Sequence, residues 1–171
     1  MLQIRAEKTP DAAGIRAVHL AAFAPRADEA DLVDALRRAG QATVSLVAID
    51  AGRLVGHILF SPLSLAPALP NLRGLGLAPL AVLPEFQRRT IGSQLTLRGI
   101  EVCRAAGYDY LVVLGDPRYY GRFNFRPASQ FRLSNDYGAD TEFMASELHP
   151  GTLAGVGGRV QYRPEFRAND C

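Results

Sequence analysis

The chain has 171 residues, of which 48% are hydrophobic and 21% charged, a balance that excludes an intrinsically disordered polymer. Its 19 basic and 17 acidic residues nearly cancel, which excludes the broad cationic face of a nucleic-acid binder and leaves any basic function to a local cluster. No stretch approaches the roughly 18–20 uninterrupted apolar residues of a membrane span, so no membrane partner is expected.

The amino end, Met1-Leu2-Gln3-Ile4-Arg5, has no basic region followed by an apolar run, so no signal peptide is read there. Residues 2–6 alternate and predict an opening strand. Thr9-Pro10-Asp11 then supplies an N-cap, a proline at the first helical position and an acid near the positive helix end. The helix that follows carries Ile15, Val18 and Ala22 on one side. A second helix is expected from a cap at Asp28 to a stop near Gly40, with Leu32 and Leu36 one turn apart.

Strands Thr43–Ile49 and Leu54–Ser61 are joined by Asp50-Ala51-Gly52-Arg53, a hairpin signal. Residues 62–73, with Pro62, Pro67 and Pro70, read as a loop. The apolar run Leu75–Val82 predicts a central strand in which Pro79 is out of place, because proline cannot donate to a ladder; a bulge or an unpaired stretch is expected there. Helix three should start near Arg89 or Thr90, end at Ala106 before Gly107, and bury Ile91, Leu95, Val102 and Ala106.

Asp109–Leu114 reads as a buried parallel strand stopped by Gly115-Asp116-Pro117, with a short helix from about Arg118 to Phe123. Strands at Phe131–Leu133, Phe143–Leu148 and Gly158–Tyr162 complete a mixed α/β single domain over residues 1–171. Cys103 lies in a helical pattern and Cys171 at the last position, so a disulfide between them is not expected and the cytoplasm is the expected compartment.

The segment that carries chemistry runs from Leu80-Ala81-Val82 through Gln87-Arg88-Arg89-Thr90-Ile91-Gly92-Ser93, a strand, a turn and a helix start. The first amides of a helix lack internal partners and sit at the positive end of its dipole, so they receive phosphate well, and two arginines reinforce that. Spacing alone favours the plainer reading, a solvated helix start with two arginines. The sequence has neither the Lys-Ser/Thr of a P-loop nor the Gly-x-Gly-x-x-Gly of a dinucleotide turn.

The surroundings decide between these. Gln87 to Gly92 resembles the Gln/Arg-x-x-Gly-x-Gly/Ala signature of the GNAT superfamily of acetyltransferases. Leu80-Ala81-Val82-Leu83-Pro84 looks like that family's fourth strand, and Gly115-Asp116-Pro117-Arg118-Tyr119-Tyr120-Gly121-Arg122-Phe123-Asn124-Phe125 its fifth-strand-to-helix motif, closest to the YhbS-like bacterial branch. The resemblance covers nearly the whole chain and is strongest over residues 54–128.

It implies a GNAT-type α/β fold, a mixed and mostly antiparallel central sheet splayed between its fourth and fifth strands and flanked by helices. It implies acetyl-CoA as cosubstrate, with the backbone of Leu80, Ala81 and Val82 facing the pantetheine and thioester, and Gln87, Arg88, Arg89, Thr90, Ile91, Gly92 and Ser93 at the pyrophosphate. Tyr120, five residues before Phe125, takes the family's place for the acid that protonates the CoA sulfur, with Tyr119 as its fallback; packing in an aromatic cluster is the other reading of Tyr120. The activity implied is transfer of an acetyl group to a primary amine in a ternary complex, in a protein able to form a homodimer through its last strands. A CoA-binding module without catalysis is the competing function.

Two positions depart from the family pattern: Asn124 stands for a glycine, a swap that asparagine's tolerance of positive φ makes harmless, and Thr90 stands for the first glycine of the phosphate loop. No base is evident, since Leu75–Val82 holds no carboxylate or imidazole. Glu85, Asp116, His19, His57 and His149 read more simply as structural or exposed. The acids Asp28, Glu29, Asp31 and Asp34 read as capping and a solvated face, or as attraction for a cationic amine. No His/Cys/Asp/Glu cluster has metal-ligand spacing.

Overall fold

The computed structural model describes residues 1–168; Cys171 lies outside them. The strands, in chain order, are β1 Leu2–Ala6, β2 Val44–Asp50, β3 Arg53–Pro62, β4 Ser64–Ala66, β5 Gly74–Val82 and β6 Tyr110–Leu114. They continue with β7 Arg126–Pro127, β8 Leu133–Asn135, β9 Phe143–Glu147 and β10 Gly158–Gln161. The helices are α1 Ala12–Ala22, α2 Asp28–Arg38, α3 Ile91–Ala105, α4 Pro117–Tyr120 and α5 Pro164–Ala168. These elements form two compact units, one of Met1–Ser61, Pro79–Gly99 and the residues from Pro164 onward, the other of Pro62–Ala78 and Ile100–Arg163.

In the first unit β1 runs antiparallel to β2 from Leu2↔Asp50 to Ala6↔Leu46, and β2 antiparallel to β3. The β2–β3 hairpin is tighter than its four-residue signal implies: Asp50 pairs with Arg53, and Ala51 and Gly52 alone make the turn at φ 47° and 79°. Positive φ at both central residues matches the right-handed twist of the strands it joins. Ile15 and Val18 of α1, and Ala30, Leu32, Val33 and Leu36 of α2, are all buried. Phe166 of α5, a helix the sequence pattern does not reveal, is buried and α5 packs against α2.

The capping expectations need correction. Asp11 accepts the Lys8 amide at 2.7 Å and a two-pronged ion pair from Arg5 at 2.7 and 3.1 Å, so the cap precedes Thr9. Thr9–Asp11 is a separate 3-10 turn ahead of α1. At α2 the N-cap is Ala27, and Asp28 is the first helical residue, paired with Arg26 at 2.9 Å. An ion pair with a neighbouring arginine competes with capping for the same carboxylate.

In the second unit the first four residues of β5 pair in parallel with β6, from Gly74↔Tyr110 to Leu77↔Val113. The ladder stops two residues before Pro79, so the missing amide falls past its last rung. β6 is antiparallel to β9, and β9 to β7. A second sheet places β10 between β4 and β8, antiparallel to the first and parallel to the second. Leu65, Tyr110, Val112, Phe143, Leu153 and Val160 form the core of this unit.

Three expectations fail here. The proline-rich loop 62–73 contains β4, whose buried Leu65 pairs with Val160. The strand expected at Phe131–Leu133 starts at Leu133, because Ala128–Phe131 is a 3-10 turn and Arg132 turns the chain at φ 56°. On α3 the buried positions are Ile91, Leu95, Thr96, Ile100 and Cys103, whereas Val102 is half-buried and Ala106 is exposed beyond the helix. A period of 3.6 favours the 91-95-99-103 row over 95-102-106 once Gly99 is counted as the small member of the stripe.

Candidate cosubstrate site at the start of α3

Leu80, Ala81 and Val82 end β5, the first half-buried and the other two buried. Leu83 donates to the Val55 carbonyl at 2.9 Å, which ties the strand end to β3. A 3-10 turn, Pro84–Phe86, leads into the loop. Gln87 then closes that loop: its Nε2 donates to the Val82 carbonyl at 3.0 Å. Gln87 thus holds the turn in shape, and one lone pair of the Val82 carbonyl is already used.

Gln87, Arg88, Arg89 and Thr90 are exposed, Ile91 is buried, and Gly92 and Ser93 are half-buried. Arg88 and Thr90 both adopt the left-handed region, at φ 61° and 64°. This backbone sets the start of α3 at Ile91 rather than at Arg89 or Thr90, since a left-handed residue cannot lie inside a right-handed helix. For threonine the conformation is an outlier costing on the order of 1–3 kcal/mol, and strain of that kind concentrates at functional loops. Gln94 holds the threonine in place, its Nε2 donating to Thr90 Oγ1 at 2.9 Å and its amide to the Thr90 carbonyl at 2.9 Å.

Gly56 brings the helix start close to the sheet. A Cβ at this position would lie 3.0 Å from Leu95 Cδ1, 3.3 Å from Ile91 Cγ2 and 3.3 Å from the Ala81 carbonyl oxygen. A methyl group here would make Leu95, Ile91 or the Ala81 carbonyl give by a few tenths of an ångström, so the glycine eases the close approach of the first turns of α3 to β3. Sequence reasoning passed over it, although an isolated glycine inside a strand pattern is the known signal for close approach.

Around the loop lies a cation-rich aromatic group. The guanidinium carbons of Arg53 and Arg89 sit 5.4 and 5.2 Å from the centroid of Phe86. Arg53 also pairs with Glu85 at 2.9 Å. A backbone hydrogen bond and then Arg53 hold the exposed Glu85 carboxyl below its usual range, so Glu85 is an ion-pair partner with little basicity.

Tyr120, within the second unit, is 9% exposed and packs edge-on to Tyr119 at 4.8 Å and to Phe125 at 5.6 Å. Asp116 caps α4, accepting the Arg118 amide at 2.9 Å, which accounts for the carboxylate structurally. A Cβ on Gly115 would fall 2.3 Å from Tyr120 Cε2, so this glycine gives the ring its place. Asn124 has φ 67°, as its tolerance of that region predicts. Burial, and then Tyr119, push the Tyr120 phenol far above its usual range, so it is fully protonated at neutral pH.

His19 and His57 are core elements. His57 Nε2 meets Ser45 Oγ at 2.8 Å and His57 Nδ1 meets His19 Nε2 at 2.8 Å, and both rings are 0% exposed. Burial lowers His19 to about 4 and drives His57 well below the usual imidazole value, a shift to which His19 adds. His149 is exposed. On α2, Asp31 and Asp34 pair with Arg16 at 2.9 and 2.7 Å, and Asp34 also with Arg37 at 3.1 Å, so these acids form an ion-paired face. Among the described residues no group of three or more His, Cys, Asp or Glu could hold a metal, and no helix is long and apolar enough to cross a membrane.

The Acetyltransferase (GNAT) family model matches residues 12–125, which takes in β2, β3, β5, the loop, α3 and the Tyr120 motif. The chain belongs to the GNAT acetyltransferase family. It is 36% identical over 165 residues to the N-acetyltransferase YhbS of Escherichia coli (strain K12), covering 95% of this chain and 97% of that protein. The crystal structure of the GNAT family N-acetyltransferase YhbS from Escherichia coli in complex with CoA superposes with a TM-score of 0.92 at 34% identity, over 97% of this chain and 92% of that one. A GNAT family acetyltransferase from Brucella melitensis in complex with acetyl-CoA gives 0.81 at 36% identity, over 97% and 98%. This GNAT chain therefore has the mixed α/β fold of the family, a mostly antiparallel sheet flanked by helices, and is an acetyltransferase.

Proposed function

We propose that this GNAT chain, as one domain over residues 1–171, moves the acetyl group of acetyl-CoA to a primary amine of a small molecule or peptide in a ternary complex. The observation that carries the reading is the loop Gln87–Gly92, held by two left-handed residues at the start of α3 in a chain whose relatives bind CoA and acetyl-CoA. The residues there suit a diphosphate: the amides of Ile91, Gly92 and Ser93 open a helix, and Arg88 and Arg89 have no carboxylate partner among the described residues. The pantetheine arm takes the backbone of Leu80, Ala81 and Val82.

In this reading the neutral amine attacks the thioester carbonyl, the C–S bond breaks, and the sulfur leaves with its electron pair. Tyr120 is the acid that supports the departing sulfur. Because its phenol is held far above the neutral range, it acts as a protonated hydrogen-bond donor as charge develops, and does not itself titrate near pH 7. The attacking nitrogen loses its proton to water, since β5 carries no base and both buried histidines are committed to each other and to Ser45. The same reading puts the protein in the cytoplasm, without nucleic-acid or membrane partners, and as a homodimer through its last strands.

Release of free CoA thiol from acetyl-CoA is the test, measured against a panel of amines and peptide amino termini. Acceptor-dependent release is the expected result. Acetyl-CoA binding with no thiol release for any acceptor would replace the enzyme by a non-catalytic CoA-binding module.

A further inference from the structure

The segment from Pro62 to Gly74 wraps round a cleft of about 380 Å³ whose wall Tyr108 completes. That volume lies within the range of small-molecule sites, roughly 300–1,000 Å³. All of the lining belongs to the second unit, and none of it to the cosubstrate segment or the Tyr120 motif. The loop is tied at three points. The Leu63 amide donates to the Gly74 carbonyl at 3.2 Å, the Leu72 amide to the Leu69 carbonyl at 3.0 Å, and buried Leu65 pairs with Val160 of β10. Leu63 and Leu72 are half-buried in the wall and Leu69 is 42% exposed, so apolar surface stays in water at a hollow that is already formed.

The charged residue of the lining is Arg73. Its guanidinium carbon lies 4.2 Å from the centroid of Tyr108. Its main chain is fixed to the start of β6: Asp109 Oδ2 accepts the Arg73 amide at 2.7 Å, and the Arg73 carbonyl accepts the Asp109 amide at 2.8 Å. No carboxylate among the described residues pairs with the guanidinium, so its N–H groups remain for another acceptor. The Asp109 carboxylate is engaged by the main chain and lies outside the lining, and its charge nearby opposes a ligand with two negative charges.

We propose that this cleft is a second ligand site, which binds a small apolar monocarboxylate with its charged end on Arg73 and its hydrocarbon body against Leu63, Leu69 and Leu72. The inference is independent of the cosubstrate reading. A planar guanidinium meets a carboxylate through two parallel hydrogen bonds, and a single cation beside Asp109 suits one negative charge better than a phosphate's near two. Stacking on Tyr108 limits the rotamer freedom that Arg73 loses on binding. Arg73 touches the ligand in this arrangement, and Tyr108 is a positioning residue.

Calorimetry on the full chain tests the proposal with octanoate, the uncharged octanamide and inorganic phosphate as probes. Arg73→Gln and Leu69→Ser change exposed side chains, and each is checked for an unchanged melting temperature. Octanoate should bind once per chain with a dissociation constant of about 1 mM or less. Octanamide should bind about tenfold more weakly, the size of one lost charge-assisted contact, and phosphate more weakly than octanoate. Arg73→Gln should weaken octanoate by about tenfold while moving octanamide less than about twofold, and should remove the salt dependence of octanoate binding. Leu69→Ser should weaken both eight-carbon probes alike, by about threefold or more. No saturation by octanoate up to about 10 mM overturns the proposal. So do equal affinities for octanoate and octanamide, an Arg73→Gln variant that binds octanoate as the wild type does, and phosphate binding tighter than octanoate.

Discussion

Gln94 Nε2 donates to Thr90 Oγ1 at 2.9 Å across the first turn of α3. An amide nitrogen can only donate, so the threonine oxygen accepts in this bond. The threonine that departs from the family's glycine is thus held by a defined partner while its backbone remains left-handed.

That combination sets two opposed effects on Thr90→Gly. Relief of a strained β-branched residue is worth about 1–3 kcal/mol, and the lost side-chain hydrogen bond and added chain entropy each return about 1. Denaturant unfolding should therefore show a net change within about 1 kcal/mol of zero, with an unchanged slope. A loss of about 2 kcal/mol or more would mean the left-handed threonine is not strained.

Gly92→Asp separates binding from folding. A carboxylate in the first turn of a helix is favoured by the dipole, so the fold should be retained. The same charge set against a diphosphate should raise the CoA dissociation constant by about a hundredfold or more, readable by calorimetry. Unchanged affinity would remove the start of α3 from the site.

Tyr120→Phe keeps the ring that packs against Tyr119 and Phe125 and removes the hydroxyl. Turnover should fall by roughly ten- to a hundredfold with CoA affinity nearly unchanged. Gly115→Ala should lower turnover in a different way, by pushing its new methyl into the ring 2.3 Å away, and should also lower the melting temperature. Full activity in the phenylalanine variant would leave Tyr120 a packing residue.

The histidine pair predicts an acid-sensitive fold. His19 is lowered to about 4 from 6.5 and His57 well below 6.5, so the unfolded chain binds more protons than the native one below pH 6.5. Stability is therefore full above that value, falls as pH drops toward about 4, and falls no further from His19 once both states are protonated. Replacement of both rings by leucine should flatten this slope in urea titrations between pH 6.5 and 4. An unaltered slope would place the acid sensitivity in the carboxylates instead.

Much of the fold was legible in the residues. The alternation in Leu2–Ala6, the apolar run Tyr110–Val113 and the Gly107 stop after α3 are local signals, set by side-chain period and backbone preference within one element. β4 and α5 escaped notice because three and five residues are too short to display a period, and Leu65 and Phe166 reveal themselves only through the partners that bury them.

The phosphate loop divides along the same line. The order of Gln87, two arginines and Gly92 between a strand and a helix, joined to the Tyr120 motif, pointed to the family from sequence alone, and the same residues carry the proposed place of the cosubstrate. The left-handed turns at Arg88 and Thr90, the tie from Gln87 back to Val82, the clearance at Gly56 and the two arginines on Phe86 were decided only by tertiary structure. The reason is distance along the chain: Arg53 lies 32 residues from Glu85 and His19 lies 38 from His57, beyond the reach of any local preference. Such pairs exist only when the packing of strand against strand and helix against sheet brings them within hydrogen-bond range.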